Sequence, residues 1–165
     1  MNLSAILNCL SSAVERLSFS FAGKITPEQK SELQELLVDE FKKNLNFCEA
    51  QLEYPLGTEV GANNRDRCDV YAKTSDYQII LELDATRADQ VAKKMLSRYY
   101  YASKAPDNKP TVYVCLLYPG TDSMNPNECV KYMNMGQDVL LAMNPANRFI
   151  GGFIREKNVE WKNIG

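Results

Sequence analysis

The chain has 165 residues, 45% of them hydrophobic and 24% charged, which suits one globular α/β domain spanning residues 1–165. Its net charge of −2 excludes a polycation, so any contact with nucleic acid must use a local basic surface. It contains no histidine, which excludes Ser-His-Asp and Cys-His triads, His-ligated zinc hydrolases and histidine-dependent nucleases.

In chain order, Leu3, Ile6, Leu7, Leu10, Val14 and Leu17 form one helical stripe and predict a helix over residues 2–19. Thr26, Pro27 and Gln29 form a capping box that opens a second helix over 27–45, with Leu33, Leu36, Leu37, Phe41 and Leu45 on its apolar face. Residues 48–54 alternate apolar and polar, as a half-buried strand does. A turn-rich loop with Gly57 and Gly61 follows, then strands over 67–73 and 77–84 joined by Thr74-Ser75-Asp76. The second of these is almost continuously apolar, which places it mid-sheet.

Thr86 and Asp89 predict a capping box for a third helix over 87–103. Residues 111–117 read as a buried strand, and Asn125, Pro126 and Glu128 open a fourth helix to Met143. Residues 148–155 read as a strand in which Gly151-Gly152 marks a bulge or a close backbone approach. The polar residues after 155 are expected to fray. The order α-α-β-β-β-α-β-α-β implies a mixed sheet with helices on both faces.

The five cysteines are scattered through apolar contexts and read as reduced, packed thiols. No apolar run reaches membrane-spanning length, and residues 1–17 lack the pattern of a secretion signal, so a cytoplasmic protein is expected. No nucleotide-binding motif occurs.

The residues that promise chemistry are acidic. Glu82 and Asp84 lie two apart in a strand and share a face. Antiparallel pairing across the hairpin brings Asp69 beside them. Three crowded carboxylates repel one another, and a hard divalent cation such as Mg2+ or Mn2+ relieves the repulsion. Each acid also has an ordinary reading: Asp84 as a cap for the turn before the third helix, Asp69 as a partner of Arg65 or Arg67.

Asp69, twelve intervening residues, Glu82-Leu83-Asp84, and then a helix containing Gln90 resemble the PD-(D/E)XK nuclease superfamily. The resemblance covers residues 27–117, where the predicted order is similar to that superfamily's restriction-endonuclease-like αβββαβ core. Around that core the chain has an extra N-terminal helix and a C-terminal helix and strand. The resemblance implies metal-dependent hydrolysis of phosphodiester bonds in DNA, with Asp69, Glu82 and Asp84 as metal ligands. It also implies an acid from the first core helix, for which Glu40 is the best match, with Glu53 and Glu59 after it.

The chain departs from the family where a lysine is usual, since Asp84 stands there. Lys73, on the Asp69 face by strand parity, and Lys94, one turn beyond Gln90, are candidates for a migrated lysine. Arg87, Gln90, Lys94 and Arg98 share a helix face, and with Lys93, Arg65 and Arg67 they are candidates to hold a phosphate backbone. The leading expectation is therefore a Mg2+- or Mn2+-dependent DNA endonuclease, with a homodimer for double-strand cleavage. The alternative is a degenerate site in the same fold that binds nucleic acid or a protein partner.

Overall fold

A computed structural model describes residues 1–46, 48–57, 66–85, 87–120 and 125–165. Among these residues the order is α1 (Leu3–Glu15), α2 (Pro27–Asn44), β1 (Glu49–Pro55), β2 (Arg67–Lys73), β3 (Gln78–Ala85), α3 (Ala88–Ala102), β4 (Thr111–Tyr118), α4 (Pro126–Met143), β5 (Arg148–Arg155) and β6 (Asn158–Ile164). This is an α/β fold: a six-stranded mixed sheet flanked by helices.

Local chemistry sets the helix ends. The Asn2 side chain accepts from the Ala5 N–H and caps α1. That helix stops at Glu15 instead of running to residue 19, because the Glu32 carboxylate captures both the N–H and the hydroxyl of Ser18 at 2.7 Å. The capping box of α2 forms as expected, with reciprocal bonds between Thr26 and Gln29. The box expected from Thr86 lies outside the described residues, and α3 starts after Arg87 with no side-chain cap.

The strands stand in chain order, β1-β2-β3-β4-β5-β6. β1 to β3 pair antiparallel, β3 to β5 parallel, and β5 with β6 antiparallel. The parallel steps need crossovers, which α3 and α4 supply. β6 corrects the expectation that the C-terminal residues fray. Val159 and Trp161 alternate with Glu160 and Lys162, so one face of the segment has something to bury. That face closes over Gly152, where a Cβ would come within 2.9 Å of Val159 and 3.0 Å of Trp161. The glycine pair thus marks a close approach and also a shift of register, which falls between Gly151 and Gly152.

Each sheet face carries its own core. Ile79, Leu81 and Leu83 of β3 meet Leu33, Leu37 and Phe41 of α2 and the apolar stripe of α1. Ile80 of β3 faces the other way, with Val91 and Met95 of α3 and Met133 and Leu140 of α4. A fully buried leucine or isoleucine contributes roughly 1.5–3 kcal/mol, so both cores anchor β3 firmly. Glu82 and Asp84 continue the Ile80 face toward α3. The five cysteines are free thiols. Among the described residues, no helix is long and apolar enough to cross a membrane.

Candidate functional site

Glu82 is only 3% exposed, near the end of a central strand. An isolated buried carboxylate is costly, and α3 supplies its partners. Arg98 donates from Nε to Glu82 Oε1 at 2.7 Å, and Lys94 Nζ lies 3.5 Å from Oε2. The same ammonium sits 2.8 Å from Oδ1 and 2.6 Å from Oδ2 of Asp84. Lys94 and Arg98 are one helical turn apart, which lets one helix face reach both acids. Arg98 is held in turn by Asp66, 3.8 Å away, whose Oδ1 also accepts from the Ser97 hydroxyl at 3.2 Å.

Asp69 is 6% exposed and arrives differently. The β2–β3 register pairs Val70 with Leu81, so one further step would set Asp69 opposite Glu82. Its Oδ2 instead accepts the backbone N–H of Leu83 at 2.7 Å, in place of a ladder bond. Its Oδ1 meets Lys30 Nζ at 2.9 Å and Gln34 Nε2 at 3.2 Å, both from α2. Side-chain alternation breaks at this point. Cys68 packs with the α3 core, as Tyr71 does, while Val70 packs with the α2 core. The opposite residue on β1, Glu53, has φ 47, a left-handed conformation that costs a non-glycine residue energy. Glu53 Oε1 also accepts from Gln34 Nε2, at 2.8 Å.

Electrostatics bind the group together. Burial, and then the charge of Asp69, push the Glu82 carboxyl up to about 8, against the pull of Arg98 and Lys94. Burial works against the Lys94 ammonium, yet Glu82 and Asp84 outweigh it and raise its pKa. Lys30 behaves alike: burial opposes its charge, and Asp69 more than restores it. Three carboxylates are thus interleaved with Lys30, Lys94 and Arg98. Among the described residues, no group of three or more Cys, Asp or Glu side chains is disposed to hold a metal ion directly. The oxygens of Glu82 and Asp84 do converge on one cation, the Lys94 ammonium, at hydrogen-bonding and ion-pair distances. A hard divalent ion would take the same donors, with the ammonium moved aside.

The structure brings Asp69, Glu82, Asp84 and Lys94 together. It does not bring in Glu40, which turns toward α1, paired with Arg16 and accepting from Asn44 Nδ2 at 2.9 Å. The α2 residues that reach the cluster are Lys30 and Gln34, neither acidic. Lys73 is also apart from it: it pairs with Asp107 near the hairpin end of β2. Arg98 was expected on a phosphate-binding surface and is instead an internal partner of Glu82. Arg87 and Gln90 both bond Asp89, at 3.1 and 3.0 Å. Lys93 and Arg67 are exposed. Arg65 and Glu59 lie outside the described residues. Lys30, Gln34 and Asp66 did not emerge from the sequence. The available signal was Gln34, a polar residue on the apolar stripe of α2, one turn after Lys30.

Compared with known proteins, the chain matches no family model and no curated protein. Among solved structures it is similar to SfsA of Pyrococcus furiosus in complex with Ca2+, with a TM-score of 0.43 and 14% sequence identity over 90% of this chain and 69% of that one.

Proposed function

We propose that the chain is a Mg2+- or Mn2+-dependent nuclease of the PD-(D/E)XK kind acting on DNA, with its lysine carried on α3. The observation that carries this reading is the place of Lys94, whose ammonium bridges Asp84 and Glu82 on the strand beside Asp69. A lysine that reaches the acids from a helix restores the positive charge that Asp84 removes from the strand.

A divalent ion bound there would lower the pKa of a water molecule and stabilise charge developing on the phosphodiester. Asp69 and Glu82 would hold it, and Asp84, freed from Lys94, would add a ligand or accept the proton of the attacking water. Arg98 fixes the Glu82 carboxylate in orientation. Lys94, released from Asp84, would bind the scissile phosphate. Lys93, Arg87 and Arg67 are exposed cations that would contact the backbone on either side. Cutting both strands takes two such centres, which a homodimer would provide.

The test is incubation with plasmid and single-stranded DNA in Mg2+, Mn2+ or chelator. Metal-dependent cutting is expected, abolished in Glu82→Ala and Lys94→Ala and partly restored in Lys94→Arg. An inert wild type, or a Glu82→Ala variant that cuts normally, would sink the reading.

One observation favours a second reading, a binding module without turnover: the chain's own cations already pair every carboxylate of the cluster. Calorimetric titration with Mn2+ separates the two. Binding that disappears in Asp69→Asn and Glu82→Gln supports the nuclease, and no binding by the wild type supports the module.

A further inference from the structure

Toward the hairpin end of the sheet from the acidic cluster, a cleft of about 250 Å³ opens on the α3 side of β1 and β2. Three tyrosines stand among polar residues in its lining. Tyr54 and Tyr71 stack with ring centroids 4.2 Å apart and planes inclined by 13°. Tyr101 of α3 lines the cleft with them. Two contacts hold these rings. The Tyr71 hydroxyl donates to Gln78 Oε1 at 3.1 Å. The chain crosses Tyr101 at Gly57, whose φ of +68 suits glycine and where a Cβ would stand 2.6 Å from Tyr101 Cδ1.

The cleft's charge and size restrict what enters it. Among the described residues that line it the cation is Lys73, which is paired with Asp107, and Glu49 adds a negative charge, so these residues do not favour a phosphate. Ligand pockets usually start at roughly 300 Å³, so this cleft suits a single ring system. Gln51 at the rim offers an amide that can both donate and accept to a polar ring edge. A neutral, planar, hydrogen-bonding heterocycle meets all of these conditions.

Position supplies the link to the proposed chemistry. Tyr71 pairs with Ile80, and Glu82 is the diagonal neighbour on the same sheet face. Such neighbours stand about 7–8 Å apart. A strand that seats one ring against the tyrosines can follow this sheet face from there toward Glu82 and Lys94.

We propose that this cleft takes an unpaired nucleobase, so that the substrate is a single strand or a duplex with an unpaired end. The proposal rests on the nuclease reading and narrows it. A paired base has its edge covered and its faces stacked, and it cannot enter; a single strand offers free rings, which stack on aromatic side chains with little regard to sequence.

The test measures binding separately from cutting. Fluorescein-labelled single-stranded oligonucleotides and blunt duplexes of equal length are titrated by anisotropy in chelator. A strand carrying 2-aminopurine reports stacking through quenching. The single strand is expected to bind at least tenfold more tightly than the duplex and to be quenched. Tyr54→Ala and Tyr101→Ala should each weaken single-strand binding on the order of tenfold, the loss of one stacked base, while Tyr54→Phe retains it. Equal binding of the two forms, or alanine variants that are folded by circular dichroism and bind like wild type, would overturn the cleft. If wild type then still cuts plasmid with Mn2+, only the cleft is lost; if it neither binds nor cuts, the nuclease reading falls too.

Discussion

Asp69 holds a strand end as much as it offers a ligand. Its two oxygens satisfy the Leu83 N–H, Lys30 and Gln34 in a buried setting. Asp69→Ala leaves all three without that acceptor and should cost about 2–4 kcal/mol in urea denaturation. Asp69→Asn keeps an oxygen for Leu83 but loses the charge facing Lys30, and should cost about half as much. Equal costs for the two would mean that the Leu83 bond contributes nothing. Glu82 makes a pH prediction. Its folded carboxyl gives up its proton near 8, whereas the unfolded one does so near the ordinary value of 4.5. Between these values the folded chain holds a proton that the unfolded chain has lost. The stability due to Glu82 is complete below about 4.5 and is lost as the pH rises through 8. Melting of the metal-free protein should therefore shift downward from pH 5 to 8, and Glu82→Gln should flatten that slope. An unchanged slope in the variant would assign the effect to other groups. That Glu82 and Asp84 share a face was legible from strand alternation alone. The direction of the Asp69 carboxylate was not, because it depends on a local break in that alternation opposite a glutamate with positive φ.

The elements were legible where their burial follows a simple period. The stripes of α1 and α2, the capping box and the apolar run of β3 all led to what is observed. β6 was hidden because four of its seven residues are charged or asparagine before its pattern is considered, and its apolar face has only Val159 and Trp161 before the terminal Ile164. The role of α3 was half legible: the shared face of Lys94 and Arg98 was visible, but its inward direction depends on where Glu82 sits. The β5–β6 contact can be tested at Gly152. A valine there would meet Val159, Trp161 and the Glu160 carbonyl, and the last is backbone with little room to yield. Gly152→Val should cost about 1–3 kcal/mol by denaturant titration. At Gly151 a Cβ would meet chiefly Met133 and the Phe149 ring edge, and the flexible thioether can move, so Gly151→Ala should cost less. The reverse ranking would contradict the described packing.

For the molecule as a whole, β1 and β6 form the two borders of the sheet. Both expose charged or amide side chains: Glu49, Gln51 and Glu53 on one, Asn158, Glu160 and Lys162 on the other. Such residues discourage pairing with a second sheet. Removing residues 158–165 would bare β5, a strand buried along nearly its whole length. Light scattering should then detect association of the shortened protein, and its melting temperature should fall. A monodisperse product with unchanged melting would show that β6 shields nothing.

The order of the strands bears on how the chain reaches this state. Strands adjacent in sequence are adjacent in the sheet, so it can grow in the direction of synthesis with no connection longer than a single-helix crossover to close. Contacts of α1 and the segment after it with β6 and the turn before it break this locality. Phe21, just beyond α1, exchanges two backbone hydrogen bonds with Glu156, in the turn between β5 and β6. The segment around Phe21 must therefore wait for residue 156, well over a hundred positions on, before its surroundings are complete.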